Sequence, residues 1–189
     1  MEKTDPRWRD SSSDLVSTII PVFNRAELLV EAVDSVLAQS HRPIEIIIID
    51  DGSTDNTSDT CERLRQNHPD LIRVHRQSNA GPGRARQNGL ELANGSFVQF
   101  LDSDDLLLPE KFSHQVMALQ REPDAGIAYG KSYEENHINP PPRCTGPMRS
   151  TGVPRMSLFP RLLHERWWTT SCPLYRKSLL DRKIGRAHV

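Results

Sequence analysis

Short apolar runs alternate with amphipathic segments along residues 15–130. The first of these runs is rich in β-branched residues, and residues 44–49 are apolar without true alternation, which is typical of a strand covered on both faces of a parallel sheet. Strands are therefore predicted at residues 15–20, 44–49, 71–75 and 97–101, with a fifth at 126–129. The segments between them have helical spacing, which predicts four helices. The first begins after residue 24, the second ends at about residue 67, the third continues through residue 93, and the fourth runs from residue 109 to about residue 121.

The order of these elements predicts the fold class. Strands that alternate with helices at this spacing form an open, mainly parallel α/β sheet of Rossmann-like type, with helices on both faces and right-handed crossovers. The segment Asn24-Arg-Ala-Glu27 has the form of a capping box, which predicts that the first helix begins there. Thr54 or Asp55 is expected to cap the second helix.

The chain divides into regions of different composition. Residues 1–142 carry 14 Lys and Arg against 23 Asp and Glu, whereas residues 143–189 carry 10 against 2. The regular pattern stops at Gly130, beyond which prolines preclude long helices. We therefore predict a flexible tail at residues 1–14, an α/β subdomain at residues 15–130 and an irregular region at residues 131–183.

Composition excludes several classes of protein. The formal net charge of −1 excludes a general polyanion binder, so no nucleic-acid partner is expected. No apolar stretch approaches the roughly 20 residues that cross a bilayer, and the first residues are too charged for a signal peptide. The three cysteines are far apart and lack metal-ligand spacing. We expect a cytoplasmic protein without a disulfide framework or a zinc site.

The most distinctive chemistry lies in Asp102-Ser103-Asp104-Asp105, directly after the fourth predicted strand. Three neighbouring carboxylates repel one another unless a cation or solvent relieves them, and Mg²⁺ and Mn²⁺ prefer oxygen ligands. The alternation in Asp-x-Asp can direct two carboxylates to the same side. The same residues also suit a solvated turn whose aspartates cap the helix after Pro109, and the pattern alone leaves both interpretations open.

Three other polar segments also follow predicted strands, where open α/β sheets bind ligands. The first is Pro21 to Asn24. The second, Asp50-Asp51, offers carboxylates to a base or a ribose, although Asp-Gly is also a common turn dipeptide. Because side chains alternate along a strand, only one of the pair is expected to face the crevice. The third, Asn79 to Gly89, places glycines before a helix with two arginines in its first turn, which suits a diphosphate.

The irregular region contains one dense apolar piece, residues 158–168, which predicts a short helix. Its Trp167 and Trp168 suit the face of a sugar ring and suit core packing equally well. His164 is the only histidine near a suspected site, here the apolar piece with the two tryptophans, and a structural role is the favoured interpretation.

Taken together, four segments resemble the inverting glycosyltransferases of family 2, which have the GT-A fold. They are Ile-Ile-Pro-Val-Phe-Asn-Arg at 19–25, Ile-Ile-Asp-Asp-Gly-Ser-Thr-Asp at 48–55, Asn-Ala-Gly-Pro-Gly-Arg-Ala-Arg-Gln-Asn-Gly at 79–89 and Phe-Leu-Asp-Ser-Asp-Asp at 100–105. Each is common alone, whereas their order and spacing are specific. The resemblance runs from about Val16 to Arg176 and implies a nucleotide-sugar donor, most often UDP-linked, together with Mn²⁺ or Mg²⁺.

The resemblance also implies roles for particular residues. Asp51 is expected to contact the base, Arg84 to lie near the diphosphate and Asp102 near the ribose. Asp104, with Asp102, is expected to bind the metal. The complete set expected to bind the nucleotide sugar is Pro21, Val22, Phe23, Asn24, Asp50, Asp51, Gly81, Arg84, Asp102 and Ser103.

The general base implied by the resemblance is an Asp or Glu well downstream of the Asp-x-Asp segment. After Arg143 the acidic residues are Glu165 and Asp181, and neither has the expected context. Residues 184–189 match the translation of a common sequencing adapter. We therefore expect a non-native tail on a chain that ends before its catalytic base, so that no catalytic residue is assigned.

The partners implied are a nucleotide-sugar donor and a glycan, lipid-linked or protein acceptor, as in cell-wall or polysaccharide biosynthesis. The basic C-terminal region suits the inner face of a membrane, and suits a solvated rim at least as well. Two alternatives stay open. One is a non-catalytic domain that binds a nucleotide sugar. The other is a receiver-like phosphotransfer module, which fits less well because its aspartate pair should follow the first strand.

Overall fold

The structure is a computed structural model that describes residues 14–130, 133–134, 143–144 and 170–181. Its strands are β1 (Val16–Val22), β2 (Ile44–Asp50), β3 (Ile72–Arg76), β4 (Phe97–Phe100), β5 (Ile127–Ala128), β6 (Tyr133–Glu134), β7 (Arg143–Cys144) and β8 (Leu174–Arg176). Its helices are α1 (Ala26–Leu37), α2 (Thr57–Asn67), α3 (Pro82–Leu92), α4 (Lys111–Arg121) and α5 (Lys177–Asp181). The predicted strands and helices up to residue 130 are all present, with shifts of a few residues at their ends.

The main sheet has six strands in the order β3-β2-β1-β4-β8-β5. The first four strands along the chain pair with one another in parallel, which confirms the mainly parallel α/β sheet. The sequence pattern does not predict β8, which lies antiparallel between β4 and β5. A separate antiparallel pair is formed by β6 and β7. The chain therefore returns to the sheet after residue 170 and inserts a strand beside β4.

Helices cover both faces of this sheet, as predicted. Apolar side chains of α1, α2 and α4 pack on one face, and α3 and α5 contribute to a smaller cluster on the other. β1 and β2 are buried along their whole length, which explains why most of their residues are apolar. Gly89 lets α3 approach β1 closely, because a Cβ at this position would collide with Ile19 Cγ2.

The predicted capping box at the start of α1 is wrong. Asn24 has a left-handed backbone with φ of 52°, and α1 begins only at Ala26 without a side-chain cap. The Asn24 amide bonds instead to Thr54 in the next loop, so a long-range contact outcompetes the local cap. At α2 the N-cap is Asn56 rather than Thr54 or Asp55 and it has no side-chain cap, although Asp55 Oδ1 accepts a hydrogen bond from the Thr57 N–H at 2.9 Å.

Several predictions fall on residues outside the described ranges. They concern the N-terminal tail up to residue 13, the short helix at 158–168 with Trp167, Trp168 and His164, and residues 184–189. The predicted domain boundaries also stay predictions. Among the helices of the described part, none has the length and apolarity needed to cross a membrane.

Candidate functional site

The loops that follow the carboxyl ends of β1 to β4 form one rim of the sheet. Parallel pairing brings these ends together, with Val22 of β1 opposite Asp50 of β2 and Ile19 of β1 opposite Phe100 of β4. Several side chains of these loops bond to a neighbouring loop. The four polar segments singled out in the sequence therefore converge in one place, the crevice where α/β sheets bind ligands.

The loop after β1 is joined to the loop after β2 through Asn24. Its Oδ1 accepts the Thr54 N–H at 2.8 Å, its Nδ2 donates to Thr54 Oγ1 at 3.2 Å, and its own N–H donates to Ser53 Oγ at 3.1 Å. Phe23 beside it is exposed, whereas Pro21 and Val22 are buried. All four residues are expected to line a nucleotide pocket. Of these, Phe23 and Asn24 lie at the rim, whereas Pro21 and Val22 lie beneath it.

Asp50 is buried at the end of β2 and holds the turn that follows. Its Oδ1 accepts the Ser53 N–H at 2.9 Å, its Oδ2 accepts the Ser58 hydroxyl at 2.5 Å, and Arg76 Nε lies 3.6 Å from Oδ2. Burial by itself raises the pKa of Asp50, but the hydrogen bonds from Ser53 and Ser58 outweigh it. With the Arg76 guanidinium they hold the pKa below the ordinary value of 3.8, so Asp50 is a structural anion.

Asp51 is buried as well, which differs from the expectation that one of the pair faces an open crevice. Its side chain fastens the next loop, because Oδ1 accepts from Gln77 Nε2 at 2.8 Å and from the Ala80 N–H at 2.9 Å, while Oδ2 accepts from the Gly81 N–H at 2.8 Å. Gly81 has a φ of +86°, a conformation that favours glycine, and directly precedes α3. Asp51 thus sets where the α3 N-terminus meets the rim.

The first turn of α3 presents two arginines in different environments. Arg84 is exposed and makes no hydrogen bond or ion pair with any described residue. Arg86 is partly buried and pairs with Asp102 across the crevice, while its Nε is buried without a partner among the described residues. Both positions suit an anionic ligand such as a diphosphate.

The Asp102–Asp105 turn follows β4 and its three carboxylates point to different partners. Asp102 pairs with Arg86, and the 44% exposed Asp104 side chain pairs with Arg25 from the loop after β1. Asp105 turns inward and accepts a hydrogen bond from the Ser171 hydroxyl. Burial raises the pKa of Asp105, which the Ser171 bond opposes and the neighbouring carboxylates reinforce. Ser103, expected at the nucleotide, is buried.

Asp102 and Asp104 can offer oxygen ligands to a divalent cation. Each uses one carboxylate oxygen for its arginine, and the other oxygen has no partner among the described residues. Within those residues, no group of three or more His, Cys, Asp or Glu side chains converges as a metal cage. The arrangement fits Mg²⁺ or Mn²⁺ held by one or two carboxylates plus the phosphates of a bound substrate.

Sequence analysis missed two residues that this rim uses. Arg25 lies next to Asn24 in the motif at residues 19–25, but nothing in the local sequence indicates that its side chain reaches Asp104. Ser171 lies on the segment before β8, so only the insertion of that strand brings it to the turn. Neither contact has a signature in the local sequence, because both join residues more than sixty positions apart.

Comparison with known proteins adds family relationships to this geometry. The family model described as Glycosyl transferase family 2 matches residues 17–184. An uncharacterized glycosyltransferase of Rickettsia typhi is 34% identical over 94% of this chain and 54% of its own length. Glycosyltransferase GlyG of Streptococcus pneumoniae is 32% identical over 64% of this chain and 40% of its own length. This chain therefore spans about half or less of the curated relatives that it matches.

Solved structures share the architecture. The crystal structure of S. aureus TarS 1–349 in complex with UDP aligns with a TM-score of 0.66 and 26% identity, over 88% of this chain and 48% of that one. The mannosyltransferase PcManGT from Pyrobaculum calidifontis, in complex with GDP-Man and Mn²⁺, aligns with a TM-score of 0.66 at 21% identity, over 95% and 52%. At that identity the second match supports the fold alone.

Proposed function

Since the chain belongs to glycosyl transferase family 2 and has the GT-A fold, we propose that it forms the donor-binding part of an inverting glycosyltransferase. In this proposal a sugar passes from a nucleotide-sugar donor, a UDP-sugar, to an acceptor hydroxyl with the help of a divalent metal. The observation that carries the proposal is the convergence of four loops, each bonded to the next, around one crevice with two arginines and two partly free carboxylates. UDP is favoured as the nucleotide because the TarS structure similar to this chain contains it.

Different described residues would hold different parts of such a donor. Phe23 and Asn24 border the crevice on the β1 side, and Asp51 positions the loop before α3. Arg84 and Arg86 present positive charge where a diphosphate would lie. Asp102 and Asp104 would hold the metal, which neutralises negative charge that develops on a leaving nucleoside diphosphate. Because Asp51, Arg86 and Asp102 are held by hydrogen bonds or ion pairs within the fold, they require little rearrangement as that charge develops.

A second candidate function is binding of the nucleotide sugar without transfer. One observation favours it, namely that all six aspartates of the rim already have a partner: Asp50, Asp51, Asp55, Asp102, Asp104 and Asp105. A general base must accept a proton from the acceptor hydroxyl, and a carboxylate bonded elsewhere serves this purpose poorly. Release of UDP from a UDP-sugar in the presence of acceptor would favour transfer, whereas saturable binding without release would favour the second candidate.

The receiver-like module is disfavoured by the same geometry. A phospho-accepting aspartate needs a carboxylate oxygen free to attack, yet both oxygens of Asp50 and both oxygens of Asp51 accept hydrogen bonds from the chain. The family match over residues 17–184 points away from phosphotransfer as well.

Calorimetric titration tests the proposed function directly. UDP is titrated into the folded chain in buffer with Mn²⁺ and again in buffer with a chelator. We expect tighter binding with Mn²⁺, and a loss of about tenfold or more in Asp104→Ala, as for metal-site residues in general. Asp124→Ala, an exposed aspartate in the turn after α4, is the matched control and should bind as the wild type does. Absence of binding by a folded sample, or equal affinity of Asp104→Ala and wild type, would contradict the proposal.

A further inference from the structure

The Ser171 hydroxyl is bonded on both sides to the Asp102–Asp105 turn. It accepts the Asp102 N–H at 3.2 Å and donates to the Asp105 carboxylate. The residue is only 5% exposed, so water does not compete strongly for these bonds. One side chain from the segment that leads into the strand beside β4 thus holds both ends of a turn that lies almost seventy residues earlier in the chain.

The backbone around Ser171 is held in place by side chains of β4 and α4. Gln99 of β4 donates to the Ser171 carbonyl at 2.9 Å, and Gln115 of α4 donates to the Cys172 carbonyl at 3.0 Å. The Lys111 ammonium links the two glutamines, with a bond to Gln99 Oε1 and one to Gln115 Oε1 at 2.7 Å. These hydrogen bonds hold the backbone carbonyls of Ser171 and Cys172, which keeps the Ser171 hydroxyl next to the turn.

The direction of the three carboxylates follows from this arrangement. Asp105 is turned inward onto Ser171, and the backbone of Asp102 is pinned by the same hydroxyl. Asp102 and Asp104 are therefore left to face the crevice, where each keeps one carboxylate oxygen without a partner among the described residues. Without the Ser171 hydroxyl, Asp105 could rotate outward and place a third negative charge beside the other two.

We propose that Ser171 is a positioning residue that sets the geometry of the Asp102 and Asp104 carboxylates for the metal and the nucleotide, without touching either. The inference rests on the proposed function, because it assigns a task to a residue through the site described above. It adds a requirement that the local motif does not contain: the segment before β8 must dock against β4 for the motif to be competent. Groups that orient metal ligands in this way typically contribute about ten- to hundredfold to metal affinity.

The test compares Ser171→Ala with Ser35→Ala in the full 189-residue chain. Ser35 is a matched control because its hydroxyl accepts the Leu107 N–H at 3.1 Å, a bond of the same kind on the same loop but away from the carboxylates. We expect Ser171→Ala to weaken UDP binding in Mn²⁺ about tenfold. Binding in chelator should change little, Ser35→Ala should bind as the wild type does, and Ser171→Thr should recover most of the loss because it keeps the hydroxyl.

Amide hydrogen exchange gives a second readout that does not depend on ligand. The Asp102 amide should exchange faster in Ser171→Ala, and the Leu107 amide should not, while Ser35→Ala should show the reverse. Equal losses of Mn²⁺-dependent affinity in the two variants, or unchanged affinity in Ser171→Ala, would overturn the positioning role. A wild type that fails to bind UDP and Mn²⁺ would instead remove the proposed function, and this inference with it, whatever the exchange data show.

Discussion

Two acidic clusters lie at the same rim of the sheet and are used differently. Asp50 and Asp51 follow β2 and are buried, and every carboxylate oxygen of the pair accepts a hydrogen bond from the chain itself. Asp102 and Asp104 follow β4 and are partly or largely exposed, and each has an oxygen without a partner among the described residues. Asp50 and Asp51 therefore stabilise the loops of the rim, whereas Asp102 and Asp104 each keep a carboxylate oxygen that can bind a ligand.

One aspartate beside each of these turns has a shifted pKa, and the two shifts have opposite directions. The pKa of Asp50 is lowered, because hydrogen bonds from Ser53 and Ser58 outweigh the effect of burial. The pKa of Asp105 is raised, mainly by burial and also by the charges of Asp102 and Asp104. The folded chain therefore favours the ionised state of Asp50 and disfavours the ionised state of Asp105.

The largest expected effect is on the β2 side. Asp51→Ala leaves three donors, those of Gln77, Ala80 and Gly81, without their acceptor in a partly buried setting. We expect the free energy of unfolding to fall by about 3 kcal/mol, measured by urea denaturation, since three hydrogen bonds to one charged acceptor are lost together. Asp124→Ala in an exposed turn is the control and should stay within about 0.5 kcal/mol of wild type. A comparably small effect of Asp51→Ala would mean that water replaces the carboxylate and that Asp51 is not structural.

A smaller, pH-dependent effect is expected for Asp50→Asn. At neutral pH we expect a loss of about 1–2 kcal/mol of unfolding free energy, because asparagine has one acceptor oxygen where Asp50 uses two, and it has no charge to pair with Arg76. Since the folded pKa of Asp50 is depressed, its stabilisation is present above the ordinary value of 3.8 and is lost as the pH falls through the folded value. The difference between variant and wild type should therefore shrink below about pH 4. A difference that is constant with pH would contradict the assigned direction of the shift.

The general outline of the rim is predictable because it depends on local sequence. β1, β2 and β4 are mostly apolar and buried within the sheet, β3 is a more exposed edge strand, and parallel strands necessarily bring their carboxyl ends together. The convergence of the four polar loops follows from that topology. For this reason the pattern of the sequence alone is enough to predict the crevice and its acidic, arginine-containing lining.

The different roles of the aspartates in the rim are not predictable in this way, because they depend on contacts between residues that are distant in the sequence. Asp51 and Asp104 both follow apolar strands, and only the three-dimensional structure shows that the loop before α3 closes over the first and not the second. The same holds for Asn24, whose apparent capping box is overridden by Thr54. β8 has three residues among irregular sequence, too short a run for any periodicity to identify it.

On the β4 side, Asp104→Ala should separate stability from binding. Its ion pair with Arg25 is largely exposed on both sides, and such pairs contribute little to folding, so the unfolding free energy should change by less than about 0.5 kcal/mol. UDP affinity in Mn²⁺ should nevertheless fall by about tenfold or more. Asp51→Ala should show the opposite pattern, with a large loss of stability. If Asp104→Ala unfolded the chain as readily as Asp51→Ala, the contrast between the two clusters would be wrong.

The smallest expected effect, and the only gain, belongs to Asp105→Asn. The asparagine carbonyl can still accept the Ser171 hydroxyl, while the uncompensated charge at this position is removed. Because the folded pKa of Asp105 is raised, its ionised form costs stability above that value, and the cost disappears as the pH falls to 3.8 and below. We therefore expect Asp105→Asn to be more stable than wild type by about 0.5 kcal/mol at pH 7.

That gain should vanish by about pH 3, where wild-type Asp105 is largely protonated in both the folded and the unfolded chain. Thermal unfolding of both proteins across this pH range measures it, with Asp124→Asn as the exposed control. Asp105→Asn and Asp50→Asn should thus change stability in opposite directions at neutral pH and converge with wild type in acid. A loss of stability in Asp105→Asn at pH 7 would show that the Asp105 charge stabilises the turn, and that the two acidic clusters are built on the same principle after all.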